Sequence, residues 1–501
     1  MASVLLLIYT IIFFFIIRKV KFFHLEGLGK WTPSIFFGIK LIAGVALWAI
    51  YTFYYTDRSA SDIWKYFDDS KIMYDALHSH PSDFFKMLMG IGDNTPEIES
   101  MYYHKMNFWY RLFDNNLLND AHIVIRFNAF MRIFSGGNYL IHALFMCFLS
   151  FTGLICIYKI IFPSLREWRG LTGAIIFMLP SLLFWTSGVM KEGIMILGLG
   201  VLIYHSFKLV EDKKWWRIFL IIAGALLLLF SKFYVIVGVI PPLIAALLVH
   251  NNKSFSFLKF TVVILFFAGF AFSLKWIAPE REPLRLLANK QNEFLKMSKG
   301  GITLINDSAE AFVSFENRND VVNLNDKTCY IKRGTNFYYR PYLNGFLDTV
   351  FVNNNQDTSV YSIQSDIPRA GSLMKADYLQ PTIISFVKQI PRSLYYVLLR
   401  PLIWEAKNPM FILPALENLF MLLLILFAFI FPKKISQPEI FGFCITFSIL
   451  LMLVIGLTTP VLGALVRYRI VAQPFLLIAF VLLIDRDKLM KKFPFLTKLG
   501  I

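Results

Sequence analysis

The sequence predicts an all-α polytopic integral membrane protein of about eleven transmembrane helices, with two large extracytoplasmic loops. Three observations carry this expectation. Of 501 residues, 57% are hydrophobic and 17% aromatic, whereas a soluble domain holds roughly 45–50% apolar residues. Charged residues make up only 17% and fall in blocks between apolar runs such as 218–230 and 419–431. Every second block is basic, as the positive-inside rule demands of cytoplasmic loops.

The expected spans are 2–17, 34–55, 138–162, 171–185, 192–209, 218–230, 234–249, 260–277, 412–431, 440–457 and 472–484. With the N-terminus outside, the first inner loop holds Arg18, Lys19, Lys21 and Lys30, and the second Arg166 and Arg169. Lys208, Lys213, Lys214 and Arg217 follow, then Lys253 and Lys259, then Lys433 and Lys434. The C-terminal tail, with Arg486, Lys488, Lys491, Lys492 and Lys498, falls in the cytoplasm. Segment 1–17 reads as a retained span, because it lacks a basic leader and a small-residue cleavage site and its positive cluster comes after the apolar run. The formal net charge of +17 is accounted for by these loops and argues for no nucleic-acid partner. Cys147, Cys156 and Cys444 lie in apolar segments, which leaves only Cys329 in a long polar loop and no disulfide framework there.

Three parts follow: an N-terminal transmembrane module, 1–278, containing the first outer loop 56–122; a loop domain, 279–410; and a C-terminal transmembrane module, 411–501. The first loop is acidic, with Asp57, Asp62, Asp68, Asp69, Asp75, Asp83, Asp93, Glu97, Glu99, Asp114 and Asp120. The middle of the second loop, 302–366, is rich in Asn, Asp and Ser. Its alternating stretch 328–338 suits a small β-hairpin, and 381–403 has amphipathic helical spacing with Arg392 and Arg400. Loops of this length at a membrane surface are more often functional than idle.

Three groups of residues are candidates for chemistry. Asp57, Asp62, Asp68 and Asp69 closely follow the second span, where a carboxylate can act as general base on an acceptor hydroxyl or bind a divalent cation. A solvated acidic loop is the competing reading. Lys191 and Glu192 are the only charges between Leu171 and Tyr204, and Lys232 occupies a comparable turn. Charges near membrane depth are costly and pair with one another or face a polar cavity. The third group is Arg400, Glu405, Glu417, Arg467 and Arg469. Two arginines in one outer turn suit a bidentate clamp on diphosphate, with interfacial anchoring as the alternative. The chain has no Gly-rich nucleotide loop, no His or Cys metal spacing and no nucleophile elbow, which disfavours a soluble nucleotide donor.

Segments 61–74, 180–192, 400–418 and 463–469 resemble the C-type glycosyltransferase superfamily, and stretches found in membrane proteins of Bacteroidetes envelope-polysaccharide loci. The resemblance covers most spans but not the insert 302–366, and the additional N-terminal span departs from the family pattern. It implies a GT-C-like fold in a bacterial inner membrane and a sugar donor linked to polyprenyl phosphate. The acceptor would be a glycan, lipid or protein at the outer face, with membrane lipids and envelope-complex proteins as further partners. It also places Asp62 at the position of the catalytic acid. No motif assigns a donor or a cofactor, so the sugar remains open. A polysaccharide polymerase or ligase is the neighbouring alternative, and a transporter or a non-catalytic subunit of an envelope complex the more distant one.

Overall fold

The structure is a computed structural model and describes residues 2–58, 61–110, 119–306, 309–325, 328–341, 350–355 and 359–498. Ser59 and Asp114 of the acidic loop lie outside these residues, as does 342–349 of the second-loop insert. Among the described residues, seven helices are long and apolar enough to cross a membrane, or eight if one bent pair counts as a span. The chain is thus a largely helical protein with the makings of a polytopic membrane fold.

The first helix, α1 (Ala2–Lys19), is followed by α2 (Thr32–Ala49), which runs on into a π-helical turn at Ile50–Tyr54. The first long loop then folds into α3 (Asp62–Ser79), α4 (Pro81–Met89), α5 (Pro96–Met101) and α6 (His122–Ser135). Next come α7 (Tyr139–Ile161), the short α8 (Arg169–Phe177) and α9 (Pro180–Trp185), then α10 (Lys191–Asp212), α11 (Arg217–Ser231), α12 (Phe233–Asn251) and α13 (Ser256–Ile277). After α14 (Pro283–Lys299) the chain forms a sheet, and it returns to helix in α15 (Ile383–Leu399), α16 (Pro409–Ile430) and α17 (Pro438–Thr458). The last helices with a bearing on function are α18 (Leu462–Arg469) and α19 (Gln473–Leu482).

Each of the eleven expected spans is helical, yet four fall outside the set of seven. Segment 171–185 is broken into α8 and α9 because Pro180 lacks an N–H and favours extended backbone before it; Leu179 has ψ 116°. Segment 472–484 corresponds to α19, which bends by 60° from α18. The other two are α1, at 18 residues, and α11, at 15.

The fold divides into two compact units. The first comprises Met1–Leu265, Leu402–Leu451 and Arg469–Ile501, and the second Phe266–Pro401 and Met452–Tyr468. Within the first, α7 and α10 meet backbone to backbone: a Cβ at Gly153 would lie 2.2 Å from the Ile196 carbonyl oxygen, and one at Gly200 would lie 2.1 Å from that of Gly153. Small residues of this kind let apolar helices approach closely where no water drives them together. The described part of the acidic loop in this unit is a packed helical layer and not a solvated loop. Tyr66, Phe67, Met73, Phe84, Ile98 and Ile125 share its core. Arg126 ties the layer together, donating to the Met87 carbonyl (2.7 Å) and pairing with Asp93 (3.1 Å), which also accepts from the Tyr103 hydroxyl (2.7 Å).

The second unit holds a seven-stranded antiparallel sheet of β1 (Gly301–Ile305), β2 (Ala309–Ser314), β3 (Val321–Asn323), β4 (Thr328–Ile331), β5 (Asn336–Pro341), β6 (Val350–Asn353) and β7 (Val360–Ile367). Its order is β3-β4-β7-β1-β2-β5-β6. The hairpin expected over 328–338 does not form, since β4 pairs with β3 and β7 while β5 pairs with β2 and β6. Alternation reports which face of a strand is buried and leaves its partner open. Here Cys329, Ile331 and Phe337 all enter one core with Leu304, Val313 and Tyr361.

Candidate functional site: a buried lysine, aspartate, lysine cluster

Lys191 opens α10, and the glycine contacts with α7 fix where its side chain starts. Its Nζ lies 2.7 Å from Oδ1 of Asp120, whose other oxygen, Oδ2, pairs with Nζ of Lys232 in the turn between α11 and α12. The three side chains are 5%, 10% and 14% exposed for Lys191, Asp120 and Lys232. Glu192, next to Lys191, is fully buried in the first turn of α10, where a carboxylate is favoured by the helix dipole.

The residues flanking Asp120 are anchored to Trp109. The preceding Asn119 accepts from the Ala121 N–H (3.0 Å) and donates to the Trp109 carbonyl (2.8 Å). His122 Nε2 lies 2.8 Å from that same carbonyl, and its ring stacks on Trp109 at 3.8 Å. The ammonium of Lys191 stands 5.8 Å from the Tyr66 ring centre, and that of Lys232 5.8 Å from the ring of Tyr234. Contacts at this range add cation–π attraction to the ion pairs.

Tyr66 links the cluster to the acidic helix. On α3, Asp62, Tyr66 and Asp69 follow one another at helical spacings of four and three residues and so share a face. The four candidate carboxylates part company here. Asp69 is fully buried and accepts from the backbone N–H groups of Asn107 (2.8 Å) and Phe108 (2.7 Å). Burial pushes its carboxyl up to about 6, against the opposing pull of those two donors. It therefore pins the 107–108 turn to α3. Asp68 points to another side of α3 and forms a two-pronged pair with Arg58 (2.7 and 2.5 Å), whose guanidinium covers Trp64 at 4.0 Å. Asp57 is exposed ahead of the helix. Asp62, half-buried in the first turn, remains the carboxylate on the Tyr66 face.

A second buried group surrounds Glu417 in α16. Its Oε1 accepts from the Ser181 N–H at the start of α9 (2.5 Å), and its Oε2 accepts from Gln473 (3.3 Å). Arg469, only 1% exposed, interacts electrostatically with the same carboxylate. Glu417 thus holds the broken helix α9, and Arg469 is its internal counter-charge. Arg467 and Arg469 stand two residues apart on α18, about 200° around the helix. In the second unit, Arg400 lies over Tyr396 at 5.2 Å; in the first, Glu405 accepts from the Leu402 N–H at 3.0 Å. Both contacts are local.

Among the described residues no three His, Cys, Asp or Glu side chains gather as a metal site. The four cysteines are buried and free. Asp120 is what sequence reasoning missed: it stood as one acid among many, and its lysine partners lie far along the chain. Lys191 and Lys232 stood out as charges in apolar surroundings, but nothing in the sequence pointed to Asp120 as their partner. Fold and site define a largely helical protein with seven helices able to cross a membrane and a buried Lys–Asp–Lys cluster beside an acidic helix. No family model matches the chain, and no curated protein or solved structure shows a significant match to it.

Proposed function

We propose that the protein is a GT-C-like membrane glycosyltransferase that transfers a sugar from a polyprenyl-phosphate-linked donor to an envelope glycan, lipid or protein acceptor. It would act at the outer face of a bacterial inner membrane, with the N-terminus outside and the C-terminus cytoplasmic. The observation that carries this reading is the Lys191–Asp120–Lys232 cluster, set in the same unit as the Asp62–Tyr66 face of α3. Fixed cations in a water-poor site stabilise developing negative charge without the cost of reorganising.

In this mechanism the donor phosphate lies against Lys191 and Lys232, and the acceptor hydroxyl lies against Asp62. The acceptor oxygen bonds to the anomeric carbon as the bond from that carbon to the phosphate oxygen breaks. The hydroxyl proton passes to Asp62, and the electron pair leaves with the polyprenyl phosphate. Asp120 positions the two lysines and does not touch the reacting atoms.

The test uses purified protein in lipid nanodiscs with a panel of polyprenyl-phosphate-linked hexoses and envelope glycan acceptors. Time-dependent release of polyprenyl phosphate, measured by mass spectrometry, is expected. A product carrying a whole glycan would assign the ligase or polymerase alternative. Absence of release from every donor, with folded protein, counts against enzymatic transfer.

A further inference from the structure

We propose that α15 is an interfacial helix whose exposed face lies in the headgroup and upper acyl region of the bilayer. The helix has two faces. Phe386, Ser393 and Val397 are buried, and Phe386 packs with Leu457 and Leu453 at the end of α17. A Cβ at Gly456 would come within 2.6 Å of the Ser393 carbonyl oxygen, so the two helices touch without an intervening side chain. The opposite face is exposed yet apolar: Ile383 is 60% exposed, Ile384 69%, Val387 57% and Tyr395 42%.

The position of this face identifies what covers it. Pro438–Thr458 is one of the seven helices able to cross a membrane, and α15 grips its last turns within a single unit. The end of a span marks the bilayer boundary, so a helix seated there lies at that depth. At about 100° per residue, Ile384, Pro391 and Tyr395 fall within about 20° of one line, with Val387 on one side of it. Lys388 and Arg392, both exposed, lie about 40° and 80° to the other side. Arg392 is paired with Asp377 at 2.7 Å, while the Lys388 stem is free to reach phosphate. An apolar arc with a cationic edge is the pattern of helices lying in a bilayer surface. Anionic lipid headgroups complement that edge.

The experiment uses the full chain in vesicles of phosphatidylethanolamine and phosphatidylglycerol. Because the four native cysteines are buried, Ile384→Cys, Val387→Cys and Tyr395→Cys can each be labelled with a small environment-sensitive fluorophore. Asn355→Cys, on the exposed end of the sheet, is the reference. Lipids carrying a nitroxide just below the headgroup should quench the three α15 positions several-fold more than the reference, with blue-shifted emission. Should one variant fail to fold, the other two carry the measurement. Quenching no greater than at Asn355 would overturn the proposal. If emission is then still blue-shifted, the face is covered by protein; if it is not, the face stands in water.

Discussion

Asp120 Oδ1 lies 2.7 Å from Lys191 Nζ, and through its second oxygen the same carboxylate holds Lys232, so one side chain joins α10 to the α11–α12 turn. Removing a partner from a buried ion pair typically costs roughly 3–5 kcal/mol, because the remaining charge stays buried. Asp120→Asn is therefore expected to lower the thermal midpoint strongly, as read by tryptophan fluorescence in detergent. Adding Lys191→Met to Asp120→Asn should recover part of that loss. Purely additive effects would show that the groups are not coupled.

Asp69 gives a pH signature. Its folded-state pKa of about 6 exceeds the ~3.9 of a solvated aspartate, so the folded form binds the proton more tightly. The associated stability is present near pH 4 and declines as pH rises through 6. The difference corresponds to about 3 kcal/mol as an upper figure. Asp69→Asn, neutral at every pH, should lack this slope, which then appears in the difference between variant and parent melting curves. An unchanged slope would mean that Asp69 titrates like a solvated acid.

Glu417 and Arg469 make a prediction of the opposite kind from the phosphate clamp. Arg469→Lys should cost stability and leave donor affinity within about twofold, because the side chain faces Glu417. Glu417→Ala should cost more, on the order of 3–5 kcal/mol, since it strands both Arg469 and the Ser181 N–H. Titrating the variants with a polyprenyl-phosphate sugar distinguishes the cases. A tenfold loss of affinity in stable Arg469→Lys would place the guanidinium at the donor.

The orientation is tested by labelling intact cells. An impermeant thiol reagent should modify Asn355→Cys and spare Lys491→Cys until the membrane is opened; both positions are exposed in the fold. The reverse pattern would invert the chain in the membrane.

Much of the helical framework was legible because membrane helices write themselves as uninterrupted apolar runs. The breaks were less legible. Pro180 shows where segment 171–185 gives way, and Pro474 in the first turn of α19 stands just after the 60° bend from α18, though neither proline states an angle. In the sheet, the inward alternation of Cys329, Ile331 and Phe337 was visible, while the pairing of β4 with β7 joins segments distant in sequence. The site follows the same division. Lys191, Lys232 and Glu417 stood out as charges in apolar surroundings. Asp69 looked no different from Asp68 until the fold buried one and left the other to Arg58.

The central claim is tested most directly by the turnover of Asp62→Asn. General-base catalysis typically contributes about a hundred- to ten-thousand-fold, and Asp62 is the half-buried carboxylate on the Tyr66 face of α3. With purified protein in nanodiscs and a donor the parent accepts, Asp62→Asn should release polyprenyl phosphate slower by that factor. Its melting midpoint and donor affinity should stay near those of the parent. Release at the parent rate by Asp62→Asn would contradict the account.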